Sequence, residues 1–500
     1  MPSKSIIIIG AGLAGLSTGC YSQMNGYKTK IFEMQNKPGG VCVSWKRNGY
    51  SFDYAVHNVF CISTKPTGTL DNRLWEELGA LKGTRAYAFE EFVQVEDADG
   101  KVFTVYSDVD KLEKHLKELS PADSKAVEEF TNTVRKLGGH DVFGAMSGGI
   151  IGKLRMLPLM GALMKYGKVN LNDFAQKFSS PFLKKVIPTI QYDIEGVPTL
   201  VPMIFLSTLS IGDAGWPIGG SSALSGNIER RYLELGGEVH YNSRIKKIIV
   251  ENDVANGVLL EDGSEHFADL VISAADGHST IFEMLDGKYT NQFIQSYYGS
   301  YSKTQAFGLE IWYGVNRSFA NEPHAIVLFL DQPITIEGKE KDRLDIEILN
   351  FDPTLAPTGK TVVKINFYSS YDYWKEISAD GEKYRTHKQE VAALVAKRLD
   401  KRFPGFSEHI EAVDVATPVS VTHWTGGYRG FAQPWPPPNE FAKEINKNGV
   451  SKTLPGLQNF YMVGQWAGGT FGLGTVCLMG RNLVSEICKK DRIPFTTIKD

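Results

Sequence analysis

The sequence predicts an α/β protein whose parallel β-sheet is assembled from three separated segments of the 500-residue chain. Each segment combines an apolar run, typical of a strand buried on both faces, with a glycine-rich turn and apolar residues at helical spacing. The segments are 1–85, 212–285 and 445–500. The stretches between them, 86–211 and 286–444, are expected to form a second, inserted α+β domain, since at about 150 residues per domain the chain is too long for one core.

Charge and cysteine content argue against several classes of protein. Lys and Arg number 54 against 57 Asp and Glu, and a net charge of −3 disfavours a protein that coats nucleic acid. The five cysteines are odd in number and form no CxxC pair, which disfavours a disulfide framework or a zinc ribbon and fits a reducing compartment. The stretch closest to a membrane span, 197–211, is too short and contains two prolines. We expect a cytoplasmic protein with no cleaved signal peptide and no nucleic-acid partner.

The first segment carries a phosphate-binding pattern. The apolar run 6–9 leads into Gly10-Ala11-Gly12-Leu13-Ala14-Gly15, and a helical pattern follows as far as Gly26. In such a turn the first glycine permits a tight bend, the second lets the backbone approach a pyrophosphate, and the third lets the helix pack on the strand. The free N–H groups and the positive dipole end of the helix favour phosphate. The pattern therefore predicts a Rossmann-like dinucleotide site.

The residue directly after the next predicted strand, 28–32, indicates which dinucleotides can bind. Glu33 lies about 20 residues past the glycines, where a carboxylate accepts hydrogen bonds from a ribose hydroxyl. This favours NAD or FAD over NADP. A second GxGxxG turn after a strand is absent from the sequence, and so are the HExxH, GxSxG and P-loop motifs and any Cys/His metal cluster. We therefore expect no metal and no separate Rossmann site for a nicotinamide.

The segment after Glu33 resembles a flavoprotein superfamily. It reads Met34-Gln35-Asn36-Lys37-Pro38-Gly39-Gly40-Val41, and it is similar to the superfamily that contains phytoene desaturases, carotenoid isomerases, retinol saturases and amine oxidases. The resemblance implies that Gly39 and Gly40 pass beside FAD. The superfamily usually has an Arg after this pair, in contact with the FAD phosphates, whereas this chain has Val41. Because of this departure, the chain resembles carotenoid isomerases and retinol saturases more than amine oxidases.

The other two segments extend the resemblance. Segment 212–285 has a Pro-x-Gly-Gly entry, a Gly-Gly-Glu strand and a buried strand that ends in Ser273-Ala274-Ala275-Asp276, as phytoene desaturases do. The resemblance places the backbone of Ile245 beside the adenine. Segment 445–500 has a buried strand, the loop Gly464 to Gly474, and then a helix from Thr475. In the family, that loop lies along the isoalloxazine ring and the ribityl chain.

The predicted site residues follow from the motifs and from the resemblance together. The expected FAD-binding residues are Gly10, Gly12, Leu13, Ala14, Gly15, Glu33, Met34, Gly39, Gly40, Val41, Ile245, Ala274, Asp276, Gly464, Gln465, Gly472, Leu473, Gly474 and Thr475. His57 and His423 are the candidate catalytic residues, as proton donors or substrate contacts, although a lone histidine is more often structural. Tyr428 and Trp466 are the expected walls of a substrate pocket.

The inserted stretches predict a substrate domain. Residues 304–370 have strand patterns that fit a large sheet beside the flavin, while 110–211 is largely helical with unusually apolar runs flanked by basic residues. Such helices form either a lid packed on its own domain or a surface that contacts a bilayer. Both interpretations are kept at this stage.

Three functions fit these observations. The first is an FAD-dependent oxidoreductase acting on a long apolar substrate, a carotenoid, retinoid, isoprenoid or other lipid. It would desaturate, saturate or isomerise C–C and C=C bonds by hydride transfer at flavin N5, with oxygen, a quinone or a reduced nicotinamide as redox partner. The second is a flavin amine oxidase. The third is a non-enzymatic protein that binds a prenyl group or a lipid on the same fold. The first is favoured, because Val41 and Gln465 argue against the second and the intact glycine motifs argue against the third.

Overall fold

The parallel sheet predicted from the glycine turns is present. The computed structural model describes residues 4–56, 59–60, 62–64, 70–138, 140, 154, 157–192, 197–300, 306–431, 450–468 and 472–497. The sheet comprises β1 (Ser5–Ile9), β2 (Lys28–Phe32), β10 (Glu238–His240), β14 (Leu270–Ser273) and β20 (Phe460–Met462). These strands run parallel in the order β10, β2, β1, β14, β20, so all three predicted segments contribute to it. The predicted α/β, Rossmann-like fold class is confirmed.

Three helices pack beside this sheet. They are α1 (Leu13–Met24), α9 (Gly220–Glu234) and α15 (Leu473–Asp491), and α1 contacts both of the others. Small residues permit the close approach, since a Cβ on Gly480 would lie 2.8 Å from Thr18 Oγ1 and one on Gly19 would lie 2.7 Å from the ring of Tyr232. The first predicted helix therefore serves both to present its N-terminus to a ligand and to join the three segments.

A second, larger sheet belongs to the inserted stretches. Its strands are β7 (Glu91–Glu96), β8 (Val102–Tyr106), β15 (Ala306–Val315), β16 (Ala325–Ile336), β17 (Lys339–Ile348), β18 (Thr361–Ser369) and β19 (Ile410–Ala416). The order is β19, β15, β18, β17, β16, β7, β8, and only the β7–β16 pairing is parallel among the described residues. The long helix α12 (Gly381–Arg402) covers one face with Val391, Val395 and Leu399.

Most of the helices of the inserted stretches pack against this second sheet. The remaining helices are α2 (Leu70–Glu77), α3 (Val109–Leu119), α4 (Ser124–Gly138), α5 (Met160–Tyr166), α6 (Leu171–Ala175), α7 (Pro181–Val186), α8 (Leu200–Ile211), α10 (Gln292–Ser300), α11 (Tyr371–Ile377), α13 (Pro418–Thr425) and α14 (Gln465–Gly468). Between 109 and 211 they share a core with Phe92, Val105 and Val327 of the sheet. In the described part of the chain, no helix is both long and apolar enough to cross a bilayer.

Short strands complete the fold. They are β3 (Ser44–Arg47), β4 (Tyr50–Asp53), β5 (Val59–Phe60), β6 (Ala86–Tyr87), β9 (Ala214–Pro217), β11 (Ile245–Glu251), β12 (Val254–Leu260) and β13 (Glu265–Phe267). The hairpin β3–β4 joins the second sheet to helix α9. Trp45 Nε1 donates to Asp414 Oδ2 and Trp312 Nε1 to the Asp53 carbonyl, each at 2.9 Å, while Ser221 Oγ of α9 donates to Asp53 Oδ1 at 2.6 Å. A second hairpin, with its turn at Asp262-Gly263, joins β12 and β13.

Candidate cofactor site

A cavity of about 310 Å³ opens at the carboxyl ends of the parallel strands. This is the edge at which open α/β sheets bind their ligands. Residues that follow β1, β2, β14 and β20 all line it. The predicted residues on its wall are Gly10, Gly12, Leu13, Ala14, Glu33, Met34, Gly39, Gly40, Val41, Ile245, Ala274, Asp276, Gly464, Gln465, Trp466, Gly472 and Leu473. Residues from all three glycine-rich segments therefore converge on one cavity.

The turn between β1 and α1 presents backbone to this cavity. Gly10 has φ +96°, a conformation that favours glycine, and its N–H donates to the Phe32 carbonyl at 2.8 Å. A Cβ on Gly15 would lie 2.0 Å from the Gly10 carbonyl oxygen, so the helix begins closer to the strand than any side chain permits. Since the first N–H groups of a helix have no intrahelical partner, α1 directs free donors at the cavity, where a phosphate is favoured.

Glu33 is fixed at the end of β2 by two backbone hydrogen bonds. Its Oε2 accepts from the Ala11 N–H and its Oε1 from the Gln35 N–H, each at 2.8 Å. The carboxyl is buried, and burial raises its pKa while these hydrogen bonds oppose the rise. Each carboxylate oxygen keeps a second lone pair. The geometry fits the predicted contact with a ribose hydroxyl.

The Gly39-Gly40 pair brings a second stretch of backbone against the glycine turn. The Gly39 N–H donates to the Ala11 carbonyl at 2.9 Å, and Gly39 and Gly40 have φ +120° and +62°. A Cβ on Gly40 would lie 3.4 Å from the Gly12 Cα. Val41 follows on the cavity wall and supplies no charge there. Phosphate at this point would therefore be held by N–H groups and the helix dipole.

Asp276 gives a direct sign that the cavity takes a polar ligand. It follows β14 and is buried, with Oδ1 accepting the Ser279 N–H at 2.8 Å. Oδ2 has no hydrogen-bond partner of normal geometry among the described residues. Burial raises the pKa of Asp276 to about 6, and the N–H groups of Ser279 and Tyr428 limit the rise. Because buried polar atoms are seldom left unpaired, a ligand donor is the expected partner of Oδ2.

The third segment closes the opposite end of the cavity. Gly464 follows β20 with φ +95°, and a Cβ there would come within 3.0 Å of the Ala14 Cβ. Helix α15 begins at Leu473, directly after Gly472, and both residues line the cavity. The predicted helix start at Thr475 was two residues late. A positive helix end here favours negative charge on a ligand, as on a reduced flavin.

Some predicted residues lie elsewhere. Gly15 packs beneath the turn, while Gly474 and Thr475 lie in the first turn of α15 without lining the cavity. The ring of His423 is exposed, and only its carbonyl bonds toward the site, accepting from Gln35 Nε2 at 3.2 Å. This placement gives no support to a catalytic His423. Tyr428 stacks on His278 rather than on the cavity wall, and His57 lies outside the described residues.

The sequence interpretation missed one wall of the cavity. Trp424, Thr425, Gly426, Gly427 and Phe431 line it, although they lie in the stretch predicted to belong to the substrate domain. The signal that was available is the Gly426-Gly427 pair directly after helix α13.

Fold and cavity together define a dinucleotide-binding flavoprotein. Residues 8–71 match the NAD(P)-binding Rossmann-like domain, and residues 204–476, more than half of the chain, match the flavin containing amine oxidoreductases. The chain belongs to the family of flavin containing amine oxidoreductases. It is an FAD-dependent oxidoreductase, as the sequence predicted.

Individual relatives extend over both sheets. The chain is 25% identical to prolycopene isomerase of Arabidopsis thaliana, over 86% of this chain and 74% of that protein. It is 26% identical to a neurosporene-forming phytoene desaturase of Rhodobacter capsulatus, over 82% and 80%. It is 25% identical to a 4,4'-diapophytoene desaturase of Methylomonas sp, over 99% and 97%.

Solved structures show the same fold. An oxidoreductase of Methanosarcina mazei matches with a TM-score of 0.62 at 17% identity, over 96% of this chain and all of that one. A putrescine oxidase variant matches with a TM-score of 0.62 at 14% identity, over 98% and 99%.

The residues present fit FAD. Glu33 offers acceptors for a ribose, the start of α1 offers N–H groups for the pyrophosphate, and the start of α15 offers a positive helix end for the flavin ring. Bound there, FAD supplies transfer of a hydride or of electrons. Val463, Trp466 and Leu473 give the cavity wall near the start of α15 an apolar surface, which would keep water from the bound cofactor.

Proposed function

We propose that this enzyme desaturates, saturates or isomerises C–C and C=C bonds of a long apolar substrate, such as a carotenoid, retinoid, isoprenoid or other lipid. The similarity to prolycopene isomerase and to phytoene desaturases carries the proposal, because it extends over 82–99% of this chain and so includes the substrate-domain sheet as well as the FAD site. Val41 supports it, since this position departs from the arginine usual in amine oxidases.

The surroundings expected for the flavin ring suit such a substrate. Next to the start of α15 they are formed by Val463, Trp466, Leu473 and Val476, which are apolar. A hydrocarbon that exchanges a hydride with the cofactor needs few ionisable side chains, whereas a charged substrate needs a buried partner. The exposed position of His423 is compatible with this chemistry.

We further propose that a cytoplasmic enzyme takes this substrate from a membrane surface. The described residues in the middle of the helical stretch expose large apolar side chains: Leu154, Leu157, Met160, Leu163 and Met164, with Met164 80% exposed. Lys165 and Lys168 beside them are exposed and basic, as suits anionic headgroups. Met160 to Tyr166 form helix α5, which would lie on the bilayer without crossing it.

An amine oxidase is the second candidate. The description of the family and the putrescine oxidase fold favour it. Val41 and Gln465 weigh against it, since both depart from the pattern usual among amine-oxidising relatives.

One assay separates the two candidates. The purified protein is first examined by visible absorption for bound flavin, before and after addition of FAD. The holoenzyme is then incubated with phytoene or an acyclic isoprenoid in liposomes, with oxygen, a quinone or NADPH as redox partner, and in parallel with aliphatic amines. We expect a shift in the polyene spectrum and sedimentation of the protein with anionic liposomes. Turnover of amines alone would refute the proposal.

A further inference from the structure

The segment 423–431 crosses the mouth of the FAD cavity, and we call it the strap. Five of its residues line the cavity: Trp424, Thr425, Gly426, Gly427 and Phe431. It includes the last turn of helix α13 (Pro418–Thr425), which is capped by Gly426 with φ +67°. The strap comes from the inserted part of the chain, between β19 and β20, and not from the glycine turns that cradle the dinucleotide.

One end of the strap touches the chain after β2. Gln35 Nε2 donates to the His423 carbonyl at 3.2 Å. A Cβ on Gly426 would lie 3.3 Å from Met34 Sδ, so strap backbone packs directly on the residue after Glu33. This is the side of the cavity where Glu33 faces the ribose.

Gly426 and Tyr428 of the strap also contact the chain after β14. Ser279 Oγ donates to the Gly426 carbonyl at 3.1 Å. The ring of Tyr428 stacks on that of His278 with centroids 3.7 Å apart and planes within 10°. β2 and β14 are the two neighbours of β1 in the sheet, so the strap contacts the chain on both sides of β1. The glycines Gly10 and Gly12, which follow β1, line the same cavity as the strap.

An ion pair of Arg429 adds to the packing that joins the strap to the substrate domain. Arg429 donates from Nη1 to Asp372 Oδ1 at 2.9 Å and from Nη2 to Asp372 Oδ2 at 2.6 Å, and its guanidinium lies 5.2 Å from the centre of the Tyr371 ring. A bidentate pair of this kind fixes the relative orientation of the two side chains in addition to neutralising their charges. Arg429 itself has φ +54°, a left-handed conformation that L-residues adopt only when their surroundings impose it. The pair thus holds a strained turn against helix α11.

We propose that the strap is a gate for FAD, and that Arg429, through Asp372, is the positioning residue that keeps it closed. FAD enters and leaves only when the strap lifts, so release of the cofactor depends on a contact made by the substrate domain. The inference rests on the FAD site and not on the substrate proposed above, so a different substrate would leave it intact.

Cofactor exchange tests the gate directly. FAD release from the holoenzyme is followed by the rise in flavin fluorescence on dilution, and FAD uptake by its quenching on the apoprotein. We expect Arg429→Ala and Asp372→Asn to speed release roughly tenfold to a hundredfold, as loss of a charged hydrogen-bonded pair implies. Arg429→Lys keeps the positive charge but loses the bidentate hydrogen bonds, so its FAD release rate should lie between those of the wild type and Arg429→Ala. Tyr428→Ser should also speed release, whereas Tyr428→Phe keeps the stacked ring and should not.

The uptake rate separates a gate from an ordinary contact. Loosening a gate speeds entry as well as exit, whereas removing a simple ligand contact speeds exit alone. Arg398→Ala is the matched control, because Arg398 pairs with Asp331 at 3.3 Å in the same domain and is equally sheltered, at 14% exposed against 18% for Arg429. This variant should exchange FAD at the wild-type rate. Exchange at that rate in Arg429→Ala, or faster exit with unchanged entry, would overturn the proposal.

Discussion

In the five-stranded sheet, the strands end at a cavity where two carboxyls, Glu33 and Asp276, lie buried without an ion pair among the described residues. In the seven-stranded sheet, buried charge is paired instead. Lys364 on β18 lies 2.9 Å from Glu310 on β15, with the side chains 1% and 2% exposed, and it donates to the Tyr54 carbonyl at 2.9 Å. The carboxyls at the first sheet have no charged partner from the described residues, while the Glu310 carboxylate of the second sheet is paired with a lysine of the protein itself.

The largest expected effect is on the glycine turn. In Gly15→Ala the new Cβ would lie 2.0 Å from the Gly10 carbonyl oxygen, which is backbone and cannot swing away. We expect a loss of about 4 kcal/mol or more in the free energy of unfolding, together with loss of bound FAD. Denaturant unfolding and the visible spectrum measure the two effects.

A glycine of the inserted stretch serves as the control. A Cβ on Gly161, in helix α5, would meet nothing within 4 Å. Gly161→Ala should therefore keep FAD and gain up to about 1 kcal/mol from helix propensity. Equal losses of unfolding free energy in Gly15→Ala and Gly161→Ala would show that the turn does not depend on the close approach of the backbone at Gly15.

The comparison also explains what the sequence could predict. The turn at Gly10–Gly15 and the acid at Glu33 were predictable because close backbone approach and ribose binding each demand one residue type at a fixed spacing. The strap was not, because Gly426 reaches Met34 only through the packing of helix α13. The Lys364–Glu310 pair was equally hidden, because it depends on the pairing of strands more than 40 residues apart in sequence.

A smaller effect is expected at this buried pair. Burial lowers the pKa of Lys364, but the charges of Glu310, Glu347 and Asp53 outweigh burial and hold the pKa above its ordinary value. The lysine is therefore charged at neutral pH. Lys364→Met would leave the Glu310 carboxylate buried and unpaired, and we expect it to cost about 3–5 kcal/mol in unfolding free energy.

An exposed pair of the same domain provides the contrast. Lys401 lies 2.9 Å from Asp331, with the side chains 56% and 54% exposed. Lys401→Met should cost no more than about 1 kcal/mol, because solvent screens such pairs. Urea unfolding at a single pH measures the loss of unfolding free energy in Lys364→Met and in Lys401→Met. Similar small losses would show that the Glu310 charge finds another partner.

The smallest and most conditional effect concerns Asp276, the unpaired carboxyl of the first sheet. Its pKa is raised from 3.8 to about 6 by burial, so the folded protein binds this proton more tightly than the unfolded chain does. The contribution of Asp276 to the unfolding free energy should therefore be highest below about pH 4, fall as the pH rises through about 6, and be lost above it, a change of at most about 3 kcal/mol. Asp276→Asn removes this titration. The variant apoprotein should melt above the wild type at pH 8, and the difference should vanish near pH 4. If the melting temperatures of the wild type and the variant differ by the same amount at every pH, the Asp276 carboxyl is solvated when FAD is absent. The protein alone would then not leave this carboxyl unpaired, and the contrast with the Lys364 pair would depend on bound FAD.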